Sequence, residues 1–329
     1  MSDFLNQLRM EAQACHLNGM RVVLGVSGGP DSVAMLRGLA HLRHDLELRL
    51  SVGHLNHMLR GDQSRQDVDW LAALCTDVNV PFIVGTEDVV QVANSKRQGI
   101  EETAREIRYA FLEKTANQQG CSHIVVAHTA DDQVETILHH IIRGTGLSGL
   151  RGMHRIRQLR SSIALARPLL TITRHQIKAY LAELNQDALL DITNADESFT
   201  RNRIRGTLLP ILVDEFNPQV GNALLRLGRQ AGEIQDTLNN LANELLQDAI
   251  EDKAENICRI NCKILTDQPR HLIRECMTQL WIELNWPRQR MGFDDWNRLA
   301  DLILEGGMCM FPESVEVQRR GSLLVLRRL

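Results

Sequence analysis

The run Arg21-Val-Val-Leu-Gly-Val26, then Ser27-Gly28-Gly29-Pro30-Asp31-Ser32, then Val33-Ala-Met-Leu-Arg-Gly-Leu-Ala40 decides the fold. Its first part is apolar and β-branched like a buried strand, and its last part has the spacing of a helix. A strand, a small-residue loop and a helix in that order build an anion site. Gly28 and Gly29 let the backbone approach oxygens closely, and the helix's free N–H groups and dipole favour negative charge. Ser27 and Ser32 can add hydroxyl donors. Asp31 beside phosphates requires a cation such as Mg²⁺ between the two anions. The competing reading is a tight turn capped by Asp31 or Ser32. No G-K-[ST] or G-x-G-x-x-G occurs. A phosphate loop with an acid and no lysine suggests cleavage at an α-phosphate, with pyrophosphate held in the cradle.

Outward from this loop, strand and helix signals alternate. Apolar runs at residues 21–26, 48–55, 82–85, 123–128 and 163–169 interleave with helical spacing at 32–42, 67–78, 101–118, 131–143 and 174–184. This predicts an α/β fold with a doubly wound, mainly parallel five-stranded sheet, whose ligands sit at the carboxyl ends of the strands. The alternation stops near Asn217-Pro218, so a catalytic domain is expected over 1–217 and a mostly helical accessory domain over 218–329. Helices are expected there at 271–284 and 294–304, with strands 314–318 and 322–326 joined by a turn at Arg320-Gly321.

Composition narrows the class. With 329 residues, 43% hydrophobic and 24% charged, the chain can build sizeable cores. Its apolar runs are far shorter than the roughly 20 residues a membrane helix needs. The first twenty residues carry Asp3 and Glu11 and read as no presequence, so a cytoplasmic, membrane-free protein is expected. Seven cysteines without a C-x-x-C pair suit a reducing compartment. The net charge of −4 excludes a protein that coats nucleic acid by bulk charge, though not one with a local basic patch. Of 37 basic residues only five are lysine, a bias that genomic base composition also produces.

Three further segments carry chemistry. His54 and His57 after the second strand are ligands or polar loop residues. Arg105 and Arg108 share a helix face, free for phosphate or paired with nearby glutamates. In His128-Thr-Ala-Asp131-Asp132-Gln-Val-Glu135-Thr136, either Thr129 or Asp131 caps a helix. Asp132 and Glu135 then share one face, and two converging acids need a metal or an ammonium group to offset their repulsion. From Thr136 to Ala182 there is no Asp or Glu, while Arg151, Arg155, Arg157 and Arg160 fall inside. The window is a solvated basic face or an RNA-backbone surface. With 13 aromatics in the chain, base recognition would rest on arginine and polar groups.

The loop Ser27–Ser32 resembles the S-G-G-x-D-S loop of the N-type ATP pyrophosphatases, the PP-loop family. Leu55–Gly61, Ala104–Tyr109, His128–Thr136, Arg167–Leu170 and Asp191–Arg205 follow in the order found in its tRNA(Ile)-lysidine synthetase branch. The resemblance covers roughly residues 20 to 215. It implies a C–N-bond-forming ligase that uses ATP and Mg²⁺, with Ser27–Ser32 on the nucleotide and Asp31 on the metal. Asp132 and Glu135 would grip the amino groups of L-lysine, Arg108 would assist at the phosphates, and Arg201 or Arg205 would work near nucleotide or tRNA. His128 is a candidate base. The RNA partner would be tRNA(Ile) with a CAU anticodon, modified at C2 of the wobble cytidine (position 34) and switched from reading AUG to AUA. An anticodon loop suits such a site because its bases are unpaired and can be splayed out. A homodimer is compatible with the sequence, and the alternative activity is a 2-thiocytidine thiolase. Longer family members carry a further small C-terminal domain, and their acceptor-stem contacts are not carried over.

Overall fold

The computed structural model describes residues 2–58, 62–160, 162–189 and 200–329, in two compact units, Met1–Gly228 and Arg229–Leu329. The expected block at Leu55–Gly61 lies in part, and residues 191–199 of the last block wholly, outside the described residues.

In the first unit the central strand β1 (Arg21–Gly25) pairs in parallel with β2 (Arg49–Asn56) on one side and β4 (His123–Val126) on the other. Beyond β2 lies β3 (Phe82–Thr86); beyond β4 lie β6 (Ile163–Ala166) and, antiparallel at the edge, β5 (Ile156–Arg160). The order β3-β2-β1-β4-β6-β5 reverses direction at β1, which makes the C-terminal end of β1 the switch point where open sheets bind ligands.

Alternation along β1 explains why both faces are covered. Val22 and Leu24 point into a core with α1 (Asp3–Ala14) and α2 (Pro30–Leu42), while Val23 points into another with Leu112 and Ala116 of α5 (Ile100–Gln118). On the second face α5 lies so close that a Cβ at Gly53 would come within 2.8 Å of Leu112, which is why β2 carries a glycine there. The first face is closed by α8 (Arg174–Glu183), whose Tyr180 stacks on Phe4 at 4.2 Å. The sheet thus has six strands where the sequence suggested five. The added β5 reads Ile-Arg-Gln-Leu-Arg, too polar to register as a buried strand, and it occupies an edge where polar side chains are tolerated.

In the second unit the expected helices are present at Arg270–Glu283 and Phe293–Leu304. So is the closing hairpin, Val315–Arg320 with Leu323–Arg328, turned at Gly321 with φ +63°. The hairpin belongs to a larger five-stranded antiparallel sheet that also contains Ile250–Ala254, Ile257–Asn261 and Met308–Phe311. The segment Ile250–Ala254 is an exposed, bulged edge strand whose acids Glu251 and Asp252 resemble the polar face of the preceding helix in sequence. Trp281, fully buried, meets Trp286 and Trp296 edge-on at 5.2 and 5.5 Å and anchors this core.

Candidate active site

The phosphate loop leaves β1 and closes on itself. Gly28 has φ +94°, and a Cβ there would come within 2.5 Å of Leu189, so backbone conformation and space both require glycine. Gly29 is the N-cap of α2, with Pro30 in its first turn; neither Asp31 nor Ser32 caps it. The Ser32 hydroxyl instead accepts from the Ser27 and Gly28 amides at 3.2 Å each and donates to the Gly29 carbonyl at 2.9 Å. Ser32 therefore holds the loop in shape, and its oxygen lies where loop amides converge. The Asp31 carboxylate remains outside this network, 3.5 Å from the Arg174 guanidinium. Burial, with Asp132 and Asp131 adding to it against the pull of Arg174, raises its pKa above the ordinary aspartate value.

The acidic pair stands on α6 (Ala130–Arg143), which begins at the end of β4. Thr129 caps this helix in a capping box: its hydroxyl accepts from the Asp132 amide, and Asp132 Oδ2 accepts from the Thr129 amide at 2.9 Å. One oxygen of Asp132 is thus spent on the helix and Oδ1 faces the site. Asp131 accepts from the Arg174 amide at 2.8 Å and so ties the start of α6 to the start of α8.

Glu135 is 1% exposed and surrounded by guanidinium groups. Arg205 grips it with both Nε and a terminal nitrogen, at 2.6 and 3.0 Å, while Arg201 and Arg174 each donate at 3.1 Å. Asp132 Oδ1 accepts from Arg174 at 2.6 Å and from Arg205 at 3.3 Å. Arg201 and Arg205 are carried by the helical segment from Thr200 through the π-turns Ile204–Leu208 and Leu212–Phe216. Between them Ile204 packs against Val134 and Leu138 of α6, so an apolar contact aims both arginines at the acids. Three carboxylates, Asp31, Asp132 and Glu135, meet three arginines.

Arg174 was not singled out by the sequence except as one member of the basic window. Among the described residues it is the one that ion-pairs with all three acids. Burial opposes its charge, but the carboxylates outweigh burial and raise its pKa. A sequence clue existed: it follows Thr173, a capping-box threonine, just beyond the C-terminal end of β6, where ligand-binding groups collect.

His128 Nδ1 accepts from Arg167 Nε at 3.1 Å. Burial, then Arg167, Arg201, Arg108 and Arg105, hold its pKa well below 6.5. With Nδ1 accepting from Arg167, Nε2 is the ring nitrogen left toward the site. Arg105 and Arg108 lie over the Tyr109 ring at 5.2 and 5.8 Å. His54 Nδ1 donates to the Val26 carbonyl at 2.8 Å, the role of a polar strand residue.

The basic window is not one uniform face. Arg167 and Arg174 turn inward, Arg155 pairs with Glu11 at 3.0 Å and Arg160 with Glu113 at 2.5 Å. Arg157 is exposed and Arg151 half-buried.

With this geometry in place, comparison with known proteins is decisive. Residues 4–212 match the PP-loop domain family. The chain is 37% identical over 238 residues to the tRNA(Ile)-lysidine synthase of Chlorobaculum tepidum, covering 72% of this chain and 70% of that one. The chain belongs to the PP-loop family of tRNA(Ile)-lysidine synthases. The synthase of Clostridioides difficile is 30% identical over 312 residues, covering 94% of this chain and 66% of that one. The chain therefore spans about two thirds of the length of these relatives. Among solved structures, a U34-tRNA thiolase from Methanococcus maripaludis is similar at TM-score 0.55 and 14% identity, over 69% of this chain and 77% of that one. That likeness concerns the fold alone. Six of the seven cysteines here are buried, and burial pushes the thiols of Cys15, Cys75 and Cys258 up to about 11 and Cys276 to about 12. Among the described residues no helix is long and apolar enough to cross a membrane.

Proposed function

We propose that this chain ligates L-lysine to C2 of the wobble cytidine of tRNA(Ile) with a CAU anticodon, at the expense of ATP. The observation that carries the reading, beside family membership, is a buried acidic pair at the mouth of a lysine-free phosphate loop. Such acids suit an ammonium substrate, and such a loop suits the release of pyrophosphate.

The reaction has two displacements. The cytidine O2 attacks the α-phosphorus of ATP, and the bond to the β-phosphate oxygen breaks, releasing pyrophosphate. The lysine ε-amine then adds at C2, the bond from C2 to the AMP oxygen breaks, and the amine proton is lost to solvent or AMP. The α2 N-terminus, which no side chain caps, would favour the departing phosphates, with the Ser27 and Ser32 hydroxyls beside it. Asp31 fits Mg²⁺: its carboxylate stands at the phosphate loop outside the loop's own hydrogen bonds, with a single long 3.5 Å contact to Arg174, and Mg²⁺ in nucleotide sites is held by one or two carboxylates plus phosphates. When bound, the metal would neutralise charge on the phosphates. Arg108 and Arg201 flank His128 and can share that task. Asp132 and Glu135 would hold the amino groups of lysine, leaving His128 Nε2–H as a neutral donor.

The test is pyrophosphate release measured with ATP, tRNA and lysine present or withheld singly. Adenylated tRNA should form with ATP and tRNA, and AMP release should require lysine. AMP release that ignores lysine but follows a sulfur donor would transfer the chain to the thiolases.

A further inference from the structure

We infer that Arg174 is a resident counter-cation that the substrates displace, and that this exchange couples nucleotide binding to lysine binding. The inference rests on the function proposed above. Every oxygen that Asp132 and Glu135 present to the site already accepts from a guanidinium, and Glu135 is 1% exposed. An ammonium group cannot join three guanidinium groups there without one leaving, because like charges repel at contact distance.

The geometry selects which one leaves. Arg205 is bidentate on Glu135, the strongest arrangement a guanidinium makes with a carboxylate. Arg201 adds contacts to the Asp132 carbonyl and the Thr136 hydroxyl of the same helix. Arg174 makes one contact to each acid, at 2.6 Å to Asp132, 3.1 Å to Glu135 and a long 3.5 Å to Asp31. It is also the one that reaches the phosphate loop. Nucleotide phosphates beside Asp31 attract its guanidinium, and moving toward them uncovers Asp132 and Glu135. Each ligand therefore removes an obstacle to the other. Arg174 is a positioning residue in this scheme, and its side chain is 25% exposed.

Coupling of this kind is reciprocal and typically five- to a hundred-fold. Lysine binding is measured by titration calorimetry on the full chain, with and without MgCl₂ and α,β-methylene-ATP, in the absence of tRNA. In the wild type the analogue should tighten lysine binding roughly ten-fold, and lysine should tighten analogue binding by the same factor. In R174A the coupling should vanish, and lysine should bind the nucleotide-free protein more tightly than it binds the nucleotide-free wild type. A residue that merely supports the fold would weaken both ligands instead. Should R174A not fold, R174Q, which keeps length and polarity without charge, carries the same expectation. Wild-type coupling retained in either variant, or weaker lysine binding to the nucleotide-free variant, overturns the inference. A wild type that binds the analogue but never lysine overturns the proposed function itself.

Discussion

Replacing Glu135 with Gln tests the centre of the site. The substitution keeps volume and removes one negative charge from a group that is 1% exposed and accepts four guanidinium contacts. Breaking a buried ion pair by removing one partner costs about 3–5 kcal/mol. Here the arginines are 25% to 35% exposed and can turn partly to water, so a cost at or just below the bottom of that range, about 2–3 kcal/mol, is expected. In a folding unit of 228 residues this lowers Tm by roughly 5–10 °C. Function should suffer in a separate way. Loss of one charge-assisted contact, about 1.5–3 kcal/mol, raises the lysine requirement roughly ten- to a hundred-fold. Adenylation precedes lysine attack and should survive, so adenylated tRNA accumulates and is chased to product by excess lysine. Calorimetric unfolding gives the first number, and single-turnover assays following adenylated and lysine-bearing tRNA separately give the second. If E135Q forms no adenylate at any lysine concentration, the acids serve the metal and not the amino acid. An unchanged Tm would mean that the arginine cluster contributes nothing to the fold.

Asp31→Asn should abolish adenylation without lowering Tm at neutral pH: a carboxyl whose folded pKa is raised is destabilised once ionised, and the amide escapes that penalty; near-normal adenylation by folded protein removes Asp31 from the reaction. Combined replacement of Arg151, Arg155, Arg157 and Arg160 should weaken tRNA binding and reduce its salt slope while sparing ATP binding, and wild-type values for affinity and slope would return these residues to the solvent face. Because His128 is held neutral, stability should fall as pH drops through and below 6.5, where the unfolded chain takes up the proton first; His128→Gln should flatten the Tm profile between pH 7.5 and 5.5, and an unchanged slope would refute the burial argument.

The parts of this site that were legible in sequence are those encoded locally. The apolar run into Ser27–Ser32 is contiguous, and Thr129, Asp132 and Glu135 fall within the first two turns of one helix, so spacing alone puts both acids on one face. The cluster of cations was not legible because it forms across distance. Arg174 is 39 residues from Glu135 and Arg205 is 70, and neither the helix start before Arg174 nor the block that ends in Arg205 says which acid each will meet. The acid-free window illustrates the opposite error: a uniform run of charge in sequence is split by the fold between the site interior, surface ion pairs and solvent. The strand Ile250–Ala254 was hidden because an edge strand with exposed acids carries no alternating apolar signal, whereas Ile257–Asn261 does alternate, with Cys258 and Ile260 buried, but over only five residues.

The use of arginine at all three cationic positions follows from what the site has to avoid. A lysine ammonium is a compact point charge, whereas the planar guanidinium fork reaches several oxygens at once, as Arg174 and Arg205 do. Under the proposed function the difference is also chemical. A resident lysine would present Asp132 and Glu135 with the same group that the substrate brings. On losing its proton it would become a second amine nucleophile beside an activated base. Arginine stays protonated, and the carboxylates raise the pKa of Arg174 further, so it neutralises the acids without competing in the reaction. The chain-wide excess of arginine over lysine has a bland explanation in genomic base composition. At Arg174, Arg201 and Arg205 the chemistry alone is sufficient reason.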